Sequence, residues 1–305
     1  MIYLFIAILC SSSIALIFKF SEKCKMNRYL VTSVNYFTAL IISLMMIIIK
    51  PSIKLKGFNL SATKFIEEFY NILWKNSGQL SKNSSILFAV LLGIIGGLFF
   101  FLSFIYYQKS VKENGAALSG TFGKLGILVP MIFSILLWKE IPKIYQSAGI
   151  LTALFSIIFA NISFDENKKI NLTLILLFFL GGMAEFQNKL FQKYALIEYK
   201  DVFLFVVFTI AFIFSSYFVF RSNVKIIRRD IFVGFLVGIP NLFSSYFLIM
   251  ALDFMPASIA LPLYSAGSII FISAGEVLLY KERLSDKNKI SIILVILSLI
   301  LINIG

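Results

Sequence analysis

Lys124 is the only charged residue in the apolar run Gly115–Leu137. Burying an ammonium there costs about 3 kcal/mol or more, so the side chain must meet a cavity or a partner. Ser119, Gly120, Thr121, Gly123 and Gly126 around it are small and leave space beside it. That arrangement suits an anchor for an anionic or carboxylate group, or a site that changes protonation. The structural alternative is an internal ion pair. A second group, Glu185, Asn188, Lys189 and Gln192, follows i, i+3, i+4, i+7 spacing and so occupies one face of a helix. Glu185 lies deep in its run and could exchange a proton or counter Lys124, whereas pairing with Lys189 inside the same helix is the structural reading. Lys189 and Lys19 lie near enough to run ends to snorkel. Asn241 and Tyr264, with Asn35, Ser244, Ser245, Ser265 and Ser268, are further polar positions that could line a pathway or simply bond between helices. The substrate-binding candidates are therefore Lys124, Glu185, Asn188, Lys189, Asn241 and Tyr264.

Several chemistries are excluded or disfavoured. The chain has no histidine, which removes Ser-His and Cys-His nucleophiles and HExxH metal sites. Cys10 and Cys24 have no metal-binding or CxxC spacing. No GxxxxGK[ST] loop is present to use ATP, and no DxxD pair lies within or beside the apolar runs to hold a catalytic metal. No catalytic residue, cofactor or metal is expected.

The elements that position these residues are membrane spans. Hydrophobic residues make up 59% of the 305, charged residues 14%, and the mean hydropathy is +0.92. The net charge of +13 comes from basic residues between apolar runs, a pattern explained by anionic headgroups rather than nucleic acid. Ten runs of bilayer length are predicted as helices: Ile2–Phe20, Tyr29–Ile49, Ser85–Tyr107, Gly115–Leu137, Tyr145–Phe164, Asn171–Phe191, Val202–Phe220, Ile231–Leu252, Ala257–Tyr280 and Lys289–Ile304. Pro130, Pro240 and Pro262 fall inside runs and mark expected bends. Tyr106 and Tyr107 at the end of the third run fit an interfacial aromatic belt as well as they fit substrate stacking, and Glu276 near the end of the ninth is expected to reach the interface.

Two halves repeat. Leu136–Glu140 reads Leu-Leu-Trp-Lys-Glu and Leu278–Glu282 reads Leu-Leu-Tyr-Lys-Glu, 142 positions apart, and the halves align without a gap from Phe101 against Phe243. Ser103 then meets Ser245, Phe122 meets Tyr264, and Lys124 meets Ala266, so the lone ammonium is not duplicated. Five runs per half give repeats 1–164 and 165–305. An odd number of crossings turns the second half upside down. Loops after odd-numbered runs carry more Lys and Arg than the others, which favours both termini outside. The long loop 50–84 holds a predicted helix at about 61–75. Phe65, Phe69, Ile72 and Leu73 form its apolar side, set on the membrane surface or packed on the protein's own loops.

This layout resembles the drug/metabolite transporter superfamily, in its ten-helix EamA-like branch. The five-plus-five repeat, the Lys-Glu-x-x turns at Lys139–Pro142 and Lys281–Leu284, and the small-residue stretches Gly115–Gly126 and Ala257–Gly275 carry the resemblance. It implies an all-α integral membrane protein of ten transmembrane helices in two inverted five-helix repeats. A central cavity would be lined mainly by runs 1, 3, 4, 6, 8 and 9. It further implies a secondary carrier in the cell membrane, leaning towards export, whose partners are the bilayer and a small-molecule substrate such as an amino acid. Sugar, nucleotide-sugar or drug-like cargo, or a lipid-modifying membrane enzyme, are the alternatives, and both monomer and homodimer are open. The repeated Glu140 and Glu282 are read as structural.

Overall fold

The computed structural model describes residues 2–49, 61–75, 78–138, 143–161, 171–222, 226–254, 257–281 and 286–304. Apart from one short 3-10 turn, Ile197–Tyr199, every regular element among them is an α-helix: α1 Ile2–Lys23, α2 Arg28–Ile49, α3 Ala62–Lys75, α4 Lys82–Asn114, α5 Ala116–Leu125, α6 Leu128–Trp138, α7 Ile144–Asn161, α8 Leu172–Tyr194, α9 Lys200–Arg221, α10 Arg228–Phe254, α11 Ala257–Tyr280 and α12 Asp286–Ile304. Among the described residues, seven stretches are long and apolar enough to cross a bilayer: α1, α2, α4, α8, α9 with its preceding turn, α10, and Leu263–Tyr280 within α11. The protein is an all-α, multi-pass membrane protein. The repeated Glu140 and Glu282, and most of the two turns that contain them, lie outside the described residues.

The surface is apolar and much of the interior is not. Ile48, Leu136 and Phe220 are exposed, while Asn35, Gln108, Asn188 and Asn241 are buried. That distribution suits lipid outside and hydrogen bonding between helices inside. Gln108 Nε2 donates to Thr32 Oγ1 at 2.6 Å, joining α4 to α2, and Asn241 Nδ2 donates to Asn35 Oδ1 at 3.0 Å, joining α10 to α2. Close approach depends on small residues. Gly93 and Gly97 let α4 rest on Val206 and Ile210 of α9, and Gly234 and Gly238 let α10 rest on Val34 and Thr38 of α2.

The fourth apolar run departs from expectation. It forms two helices rather than one, because Pro130 has no N–H to give the Gly126 carbonyl and its ring clashes with the preceding turn. The Gly126 carbonyl instead accepts the Val129 N–H at 2.9 Å. Pro240 lies within α10, which continues through it.

Helix α3 forms where its periodicity places it and turns Phe65, Phe69 and Ile72 onto the protein. The Phe69 ring lies 5.6 Å from that of Phe88 on α4 and 5.7 Å from that of Tyr194 at the end of α8. Leu73, grouped with these residues in sequence, faces outward instead. Glu68 accepts from Ser81 N–H at 3.1 Å and Ser81 Oγ at 2.9 Å, so α3 caps α4. Partial burial acts to raise the Glu68 pKa, yet hydrogen bonds from Ser84 and Ser81 and the charge of Lys64 outweigh it and hold it below the usual value. This clamp is therefore in place above the ordinary carboxylate range and is lost as pH falls through the depressed pKa.

A Cβ at Gly238 would sit 2.6 Å from the Asn35 carbonyl oxygen. Gly238→Val is expected to cost about 1–3 kcal/mol through overpacking, measured as a lower thermal-unfolding midpoint in detergent. A midpoint equal to the parent's contradicts this packing.

Candidate functional site

A cavity of about 80 Å³ opens among α1, α4, α5, α8, α10 and α11, the same helices that the resemblance implies. Its walls are built at helical spacing. Phe100, Ser103, Phe104 and Tyr107 come from one face of α4, and Gly120, Gly123 and Lys124 from one face of α5. Leu177, Gly181, Ala184 and Glu185 do the same on α8, while α10 adds Asn241, Ser244 and Ser245 and α11 adds Tyr264. Ser103 and Ser245, paired by the sequence repeat, both line it.

Lys124 occupies the last turn of α5. The unsatisfied carbonyls at a helix C-terminus carry partial negative charge and favour a cation there. Its Nζ lies 3.9 Å from the centre of the Tyr264 ring, a cation–π contact whose strength rises as water is excluded. Among the described residues no carboxylate forms an ion pair with it. Glu185 lines the cavity from α8 and accepts from Asn188 Nδ2 at 3.2 Å. Asn188 is buried one turn along and outside the lining, and half-buried Lys189 also lies outside it. Asn241 lines the cavity, and its amide nitrogen is committed to Asn35. Four of the six sequence candidates thus converge on one space, with a fifth, Asn188, bonded to one of them.

Two residues beyond the six candidates belong to this region. Tyr107, open in the sequence between a belt and substrate stacking, lines the cavity, and its buried hydroxyl has no hydrogen-bond partner among the described residues. Its signal was the i, i+3, i+4, i+7 spacing from Phe100. Glu276 does not reach the interface but is buried. It accepts the Ala116 N–H at 2.8 Å and the Ala117 N–H at 2.6 Å, and pairs with Lys19 Nζ at 3.2 Å. A carboxylate from α11 thus caps the positive end of α5, and Lys19 of α1 pairs inward rather than snorkelling. Gly115 makes the approach possible, since its φ of +83° disfavours other residues and a Cβ there would lie 3.0 Å from Glu276 Oε1.

Among the described residues no group of three or more Cys, Asp or Glu is placed to hold a metal ion. Residues 169–304 match the model of the EamA-like transporter family. The second half of this chain is similar to EamA-like transporters. A comparison with curated proteins returned no match. A solved structure described only as the crystal structure of a protein superposes with a TM-score of 0.61 at 15% identity, covering 99% of this chain and 96% of that one. At that identity the likeness is one of fold.

Lys19 and Glu276 are expected to be energetically coupled. Lys19→Met and Glu276→Gln should each lower stability, Glu276→Gln by about 3 kcal/mol because it removes the buried negative partner of the pair. The double variant should lose less than the two combined. Strict additivity in thermal unfolding contradicts the pairing.

Proposed function

We propose that this protein is a secondary carrier that moves a small polar or amphipathic metabolite, an amino acid or related compound, by alternating access. In this reading α5 and α6 together make one crossing. The ten crossings form two five-helix repeats, 1–164 and 165–305, of opposite orientation. The helix neighbours support it: exchanging α1 with α8, α2 with α9, α4 with α10, α5 with α11 and α7 with α12 preserves the main contacts. Thus α1 on α10 is matched by α8 on α4, and α2 on α10 by α9 on α4, while α2 with α9 and α7 with α12 map onto themselves. The glycine pairs at 93 and 97 and at 234 and 238 follow the same exchange. The family match falls within the second repeat.

The observation that carries the reading is the Lys124 ammonium, set at the end of an interrupted helix beside a cavity that both halves line. Interrupted helices near the membrane midplane are where carriers of this construction hold cargo. Lys124 holds an anionic group of the cargo, and Glu185 tunes Lys124 or exchanges a proton. Tyr264 and Asn241 shape the space between them. Asn188 orients Glu185, and Lys189 belongs to the supporting face of α8. Transport draws on a proton gradient or on the cargo's own gradient and runs as export.

A thermal-shift screen of purified protein against amino acids, sugars, amines and nucleotides identifies the cargo class. A ligand at one hundred times its Kd stabilises by about 2.7 kcal/mol. In proteoliposomes loaded with that ligand, Lys124→Ala is expected to lose transport at least about tenfold, the loss of about 1.4 kcal/mol of binding. Tyr264→Phe keeps the ring and should retain most activity, whereas Tyr264→Ala should not. Parental transport by Lys124→Ala at normal abundance overturns the assignment.

A further inference from the structure

Helix α3 has three faces, and the fold uses only one of them. Phe65, Phe69 and Ile72 pack on the protein. Lys64, Glu67 and Asn71 form an exposed polar side. Between the two runs a second apolar stripe, Ile66, Tyr70, Leu73 and Trp74, spaced i, i+4, i+7, i+8 and wholly exposed. Trp74 is 80% exposed and Tyr70 61%, with their rings stacked 6.1 Å apart. Such a stripe cannot be left in water without cost, and nothing in the packing of α3 requires it.

We propose that this outer stripe is a lipid-binding surface that seats α3 in the headgroup boundary of the bilayer. A helix meets protein, hydrocarbon and water on three separate sides only at a membrane–water boundary, and the three faces match that setting. The exposed apolar surface of the bundle begins on the helix to which α3 is tied. Glu68 holds α3 to the start of α4 through Ser81, and the exposed apolar residues Leu91, Ile94 and Ile95 begin along the same helix. Leu91 is nine residues from Lys82, about 14 Å at 1.5 Å per residue. Indole and phenol rings favour the headgroup level, where an apolar body and a polar tip are both solvated. The exposed Lys64 and Lys82 supply cations beside anionic headgroups. Because α3 also touches the end of α8 through Tyr194, the lipid-seated helix sits over the seam between α4 and α8.

The chain has two tryptophans, so Trp138→Phe leaves Trp74 as the sole indole. The full-length variant is reconstituted in phosphatidylcholine vesicles whose acyl chains carry bromine near the headgroup or deep in the core, and quenching by aqueous iodide is measured in parallel. Trp74 is expected to lose most of its emission with shallow bromine, less with deep bromine, and little with iodide, as for a helix set about 5–10 Å below the headgroup surface. Strong iodide quenching without bromine quenching places the stripe in water and overturns the proposal. Protection from both quenchers means that protein, such as a second copy, covers it, which overturns it equally. Should Trp138→Phe not fold, the difference in emission between the parent and Trp74→Phe gives the same reading.

Discussion

Pro130 cannot give a hydrogen to the Gly126 carbonyl, and the layout of the cavity follows from that missing bond. Inside a membrane protein an interrupted helix is tolerated only where other groups or a cavity meet its loose backbone ends. Here the break ends α5 at Leu125, which puts Lys124 in a terminal turn whose carbonyls favour its charge. Bare backbone on α8 receives the break. A Cβ on Gly126 would lie 2.7 Å from the Gly182 nitrogen, and one on Gly182 would collide with the Gly126 carbonyl oxygen. Glycine at both positions brings α5 and α8 together, and with them Lys124 and Glu185.

The opposite end of α5 is held just as specifically. Glu276 takes two of its free N–H groups and Lys19 balances the carboxylate, so α1, α5 and α11 meet at one buried charge cluster. Neither device is duplicated by the repeat: Lys124 corresponds to Ala266, and Glu276 to Ser134. The helix contacts are nearly interchangeable between halves, whereas the buried charges are not. Under the proposed function, a near-symmetric scaffold with one-sided charges rocks between two similar shapes while presenting cargo with a single anchor.

Much of this was legible in the chain. Apolar runs of bilayer length located most of the helices, though α4 continues seven residues past the expected Tyr107 and the fourth run is broken in two, and the small residues around Lys124 foretold space beside it. The spacing of Glu185 and Asn188 placed them on one face of α8, where they bond. Glu276 was misread because hydropathy places a residue relative to a run's end but says nothing about a neighbouring helix terminus that needs an acceptor. The sequence leaves Tyr107 open between two readings because a tyrosine near a run's end looks the same whether it faces lipid or a cavity; only the length of α4, which continues to Asn114, separates the two. The outer stripe of α3 was hidden in a helix with more apolar residues than one packed face can use.

The central claim is that Lys124 points into a chamber reached by water from each side of the membrane in turn. With Cys10 and Cys24 replaced by serine, Ser245→Cys puts a single thiol on the cavity wall. Labelling by a membrane-impermeant maleimide, applied to one side of sealed vesicles and then to the other, measures access directly. The account predicts labelling from both sides, slowed by bound cargo. A thiol that reacts from neither side, or from one side only under all conditions, contradicts it.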